Sequence, residues 1–101
     1  MALFPASSMG GVQDIVAEAF TTTVASIASQ DSIAVNFTGI AKTGYTPLIA
    51  IYCKNNKTRA IVPSFTTAPV VNGETQLAMA NIGTSTITSI TVTCYVIFIK
   101  K

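Results

Sequence analysis

Charge is scarce in this chain. Six Lys or Arg and four Asp or Glu make up 10% of its 101 residues, against roughly a quarter in an ordinary soluble domain. Histidine and tryptophan are missing. Without His there is no Ser–His–Asp triad and no imidazole general base. The acids Asp14, Glu18, Asp31 and Glu74 are scattered, with no sign of a paired-carboxylate cleft. Gly39 and Gly44 have phosphate-loop spacing, but Tyr45 and Thr46 stand where Lys and Ser/Thr are required. These absences point to a protein that is not an enzyme and holds no cofactor.

Other absences narrow the setting. A net charge of +2 is too small for a nucleic-acid partner, which needs a dense basic stripe. The longest apolar stretch, Tyr95 to Ile99, is far too short for a membrane helix. The first residues lack the basic and long apolar regions of a secretory signal, which places assembly in a cytoplasm. The sequons at Asn36 and Asn56 then carry no glycan. Cys53 and Cys94 have no CxxC spacing and no His beside them, which argues against zinc. They read as two buried thiols, with a disulfide as the alternative.

What is present is half apolar residues together with fifteen Thr and eight Ser. From Thr21 onward the pattern has period two, the signature of half-buried strands. Ile33, Val35 and Phe37 share one face, as do Leu77 and Met79. Asn72-Gly73 is the strongest hairpin signal. Asn55-Asn56 reads as a second tight hairpin, and Pro63 marks an edge or bulge. In the last strand, Thr86–Lys100, one face carries Ile90, Val92, Cys94, Val96 and Phe98. The other passes from Thr91 and Thr93 to Tyr95, Ile97 and Ile99. The end of this strand is therefore apolar on both sides and needs a second cover. The expected fold is all-β: a small antiparallel β-sandwich, jelly-roll-like, over residues 21–101.

Residues 1–20 read as an N-terminal arm. Val12, Ile15, Val16, Ala19 and Phe20 have the i, i+3, i+4, i+7, i+8 spacing of a short amphipathic helix. Such a helix either caps its own domain or docks on a neighbour. In the second case Phe4, Val12, Ile15, Val16 and Phe20 are the subunit-anchoring residues. Lys54, Lys57 and Arg59 around Asn55-Asn56 are the main charge concentration. With Tyr45 they form a candidate recognition surface (Tyr45, Asn55, Asn56, Lys57, Arg59), set against the simpler reading of a solvated hairpin tip.

The strand Thr21–Ala28, the segment Thr43-Gly44-Tyr45-Thr46-Pro47, the turn Asn81–Ser85 and the ending Val92–Lys101 together resemble β-sandwich virion proteins of tailed bacteriophages. The similar modules are capsid decoration proteins, head fibres and tail appendages. The resemblance covers about residues 20–101 and implies a non-enzymatic structural component located in the virion. It implies homo-oligomers, often trimers, attached to other virion proteins, and no catalytic residues. The alternative is a phage receptor or carbohydrate-binding module that contacts a host-surface glycan.

Overall fold

A computed structural model describes residues 14–57 and 60–101. Seven strands follow in order: β1 (Ile15–Ile27), β2 (Ser32–Phe37), β3 (Tyr45–Asn55), β4 (Ile61–Pro63), β5 (Thr67–Pro69), β6 (Thr75–Asn81) and β7 (Ile87–Lys100). One sheet has the order β1-β7-β3-β5 and the other β2-β6-β4. All pairings are antiparallel. Odd-numbered strands lie in the first sheet and even-numbered strands in the second, so every connection crosses between sheets.

The period-two pattern places the core. Ile90, Val92, Cys94, Val96 and Phe98 of β7 are fully buried, as are Leu77 and Met79 of β6. Val35 and Phe37 of β2, Ala50 of β3 and Ala68 of β5 complete a cluster drawn from both sheets. Each large aliphatic or aromatic side chain in it contributes on the order of 1.5–3 kcal/mol by leaving water.

The helix expected across Val12–Phe20 is corrected for its described part. Ile15–Phe20 is strand, the first half of β1. β1 also runs unbroken through the expected boundary between residues 20 and 21. The reason is tertiary. A two-turn helix is marginal alone, whereas β7 offers an antiparallel register that is regular from Ile15↔Ile99 to Val24↔Ile90. Val16, Phe20 and Val24 then pack on the core, with the Phe20 and Phe98 rings 6.1 Å apart. Ile15 and Ala19, which the helix would have put beside them, fall on the opposite face, exposed.

The turns divide similarly. Asn72 and Gly73 both have positive φ, 55° and 74°, as a two-residue type I′ turn demands. Val71 and Glu74 exchange both backbone hydrogen bonds across it, at 2.9 and 3.0 Å. Gly73 also approaches another segment closely: a Cβ there would lie 3.3 Å from the Ile40 carbonyl oxygen. The second hairpin, at Asn55-Asn56, does not form. β3 pairs with β5 and β7, while β4 pairs with β6 in the other sheet. Here the chain changes sheets. Where β6 ends, buried Asn81 ties three segments together. Its Nδ2 donates to the carbonyls of Ile27 and Ser85, and its Oδ1 accepts from the Gly83 amide, each at 2.9 Å.

Candidate interaction surface

The outer face of the four-stranded sheet is built in cross-strand rows. Ile15, Ile99 and Thr46 form the first row, and Ala17, Ile97, Ile49 and Pro69 the second. Ala19, Tyr95, Ile51 and Thr67 form the third. None of these residues carries a charge, and Ile15 and Tyr95 remain 61% and 44% exposed. Three rows across four strands span on the order of 400 Å². That is within the range of the largest apolar patch on a monomer, which is often functional.

Beyond the third row the same strands change character. Thr21 pairs with Thr93, Thr23 with Thr91, and Lys54 also lies opposite Thr93. A threonine half thus continues the face at the far end of the sheet. Along β1 and β7 the pairing runs on across this boundary, whereas on the β3 side a register shift between Tyr52 and Lys54 coincides with it.

The anchoring residues named from the sequence are dispersed by this arrangement. Ile15 lies on the outer apolar face. Val16 and Phe20 point the other way, half-buried against the core. Phe4 and Val12 lie outside the described residues, as does Arg59.

The recognition residues are also separated. Tyr45 opens β3 and Asn55 closes it, and eleven residues of strand put about 33 Å between them. Asn55 Nδ2 donates to the Tyr52 hydroxyl at 2.8 Å and the Ile61 carbonyl at 3.1 Å, while its Oδ1 accepts from the Lys57 amide. Asn56 pairs with the edge of β7: its Oδ1 accepts from Thr91 N at 2.8 Å and its Nδ2 donates to Ser89 O at 3.2 Å. Both amide side chains therefore hold the chain where it leaves the sheet. Tyr45 sits in a cleft with Lys42, Gly44, Pro47 and Lys101. The Lys42 ammonium lies 5.4 Å from the Tyr45 ring centroid and forms a 2.9 Å ion pair with Glu18.

Several outer-face residues were not singled out as site candidates from the sequence. Ile49 and Ile51 stand in the mostly apolar run Leu48–Lys54, whose two faces look alike in the sequence. Ala17 and Ala19 were hidden by the helical spacing. The signal that finds this face is the double-sided apolar end of the last strand.

The two thiols are free, Cys94 buried and Cys53 half-buried. Burial pushes the Cys94 thiol from an ordinary 9.0 up to about 11, and Cys53 nearby adds to the shift. Cys94 is thus a protonated, inert core group at neutral pH. Among the described residues no three His, Cys, Asp or Glu side chains converge to hold a metal, and no helix is long and apolar enough to cross a membrane. Compared with known proteins, the chain matches no family model, no curated protein and no solved structure.

Proposed function

We propose that this chain is a non-enzymatic structural subunit of a bacteriophage virion, attached to capsid or tail as a homo-oligomer. The observation that carries the reading is the uncharged apolar half of the outer face, with Ile15, Ile51, Tyr95 and Ile99 exposed together on one sheet. Apolar surface of this extent is stabilised by removal from water, at roughly 25 cal/mol per Å². A standard interface uses about 800 Å² per partner, so the apolar rows supply its centre and the threonine rows its continuation. The small domain size, the low charge and the virion-like sequence layout support the same reading. Strict alternation of strands between sheets ordered β1-β7-β3-β5 and β2-β6-β4 supports the β-sandwich, jelly-roll-like form of the fold.

The test is the mass of the purified full chain in solution. The expected result is a concentration-dependent oligomer. A stable monomer at high concentration overturns the proposal.

The residues of the glycan-binding alternative divide between the cleft at Tyr45, Lys42 and Lys101 and, at the other end of β3, Lys57 and, further along the sequence, Arg59, since Asn55 and Asn56 bond their amides within the chain. Loss of host adsorption in Tyr45→Ala, with the oligomer intact, would favour it.

A further inference from the structure

Four strands end the two sheets, and three are poor templates for another chain. β4 and β5 are three residues long and each ends in proline. β2 has six residues. β1 is different. It has thirteen residues, with no Pro, Gly, Lys or Arg, and its ladder with β7 is regular from Ile15 to Val24. Natural sheets guard exposed edges with short strands, proline, bulges or charge. The single charge along β1, Glu18, is held at 2.9 Å by Lys42.

The hydrogen-bonding direction along β1 follows from its start. Lys100 N donates to Asp14 O at 2.7 Å, while the next amide, Lys101 N, donates across to Gly44 O on the β3 side. Antiparallel pairs alternate, so even-numbered residues of β1 bond to β7. The N–H and C=O groups of Ile15, Ala17, Ala19, Thr21, Thr23 and Ala25 therefore point away from β7, to an edge that no described strand covers. The phase changes near the strand's end: the ladder pairs Val24 with Ile90 and resumes at Ser26 with Thr88, Ser89 has a φ of 55°, and Ile27 turns its side chain into the core. Val16, Phe20 and Val24 pack on the core but stay only half-buried on the inner side of this strand.

We infer that β1 pairs edge to edge with β1 of a second copy, antiparallel about a two-fold axis at Phe20. The inference rests on the proposed reading of the chain as an assembling subunit and adds the strand that joins two copies. A second copy fits because the edge is complementary to itself. With the axis at Phe20, Ile15 meets Ala25, Ala17 meets Thr23 and Ala19 meets Thr21, which employs all six outward-pointing residues. About a dozen backbone hydrogen bonds form across the axis. On the inner side Phe20 meets its own copy and Val16 meets Val24, covering the half-buried groups. Glu18 lies opposite Thr22 and not opposite another Glu18, so no like charges are opposed. The two four-stranded sheets become one continuous sheet.

Hydrogen exchange of the full chain tests this, with even-numbered amides of β1 as the internal standard. The amides of Ala17, Ala19, Thr21 and Thr23 are expected to exchange at least tenfold more slowly in the oligomer than after dilution to monomer. Those of Val16, Glu18, Phe20 and Thr22 stay protected in both. Thr21→Pro removes an outward N–H and no bond to β7; it is expected to abolish the protection of the odd-numbered amides and to lower the mass of the oligomer, leaving contacts of the outer face in place, while Thr21→Val keeps both the protection and the mass. If the oligomer forms while the odd-numbered amides exchange at their monomer rate, the edge inference fails and the assembly reading stands. If the chain is monomeric at every concentration, both fail. Should Thr21→Pro misfold, the exchange pattern of the unaltered chain decides.

Discussion

The two faces of β7 make an instructive comparison. On the inner face Ile90, Val92, Cys94, Val96 and Phe98 are completely buried. On the outer face Tyr95 and Ile99 are large and apolar yet exposed, and Thr91 and Thr93 continue the line. One backbone presents both. The inner face is consumed by the second sheet, which supplies Leu77, Met79, Val35 and Phe37. The outer face has no such layer among the described residues. No described residue covers its apolar content, and in the proposed reading that content serves contact with another copy.

The sharpest way to break this comparison is Phe98→Ala. Removing a fully buried ring is expected to cost about 3–5 kcal/mol in denaturant unfolding, and a loss below about 1 kcal/mol would mean the inner face is not the core. Next comes the double change Ile97→Lys with Ile99→Lys. It should leave folding within about 1 kcal/mol of the parent, as surface substitutions do, and remove the outer-face contact, lowering the mass that light scattering is expected to read for the unaltered chain. A stability loss as large as that of Phe98→Ala would show that the outer face belongs to the core of the single chain.

A smaller effect separates the faces by pH. The folded Cys94 thiol keeps its proton to about pH 11 against an ordinary 9.0. A raised acid pKa means that the unfolded chain loses this proton first. Stability is therefore unaffected by this group below pH 9 and falls as pH climbs from 9 towards 11. Cys94→Ala should flatten that part of the stability–pH profile, and a profile equally steep in the variant would refute the assignment. The smallest effect is expected from Thr91→Ile with Thr93→Ile. It extends the apolar rows into the threonine half, changes folding by about 0.5 kcal/mol or less, and lowers the concentration at which copies dissociate on dilution.

Much of the strand layout was legible because period two is a local property. Val35 with Phe37, Leu77 with Met79, and the five inner residues of β7 were all readable as faces before any fold was known. Asn72-Gly73 was readable because few residues other than glycine and asparagine accept two successive positive φ values. Other segments were ambiguous for physical reasons. Val16 and Phe20 satisfy a helical spacing and a strand alternation equally, and only the β7 ladder decides between them. β5 is three residues beside proline, too short to carry a period. Asn55 and Asn56 looked like turn residues or ligands, but which donors and acceptors their amides meet depends on β4 and β7, distant in sequence.

The amino-acid sequence by itself determined that this is a β protein with few charges, no histidine and one strand whose end is apolar on both sides. Those properties follow from composition and from alternation along the chain, which need no partner strand to be read. Only the tertiary structure decided that Ile15–Phe20 joins the sheet, that Tyr45 and Asn55 stand at opposite ends of β3, and that Ile49 and Ile51 line up with Ile97 and Tyr95. Cross-strand neighbours are set by register between segments far apart in the chain, and register is a property of the folded sheet.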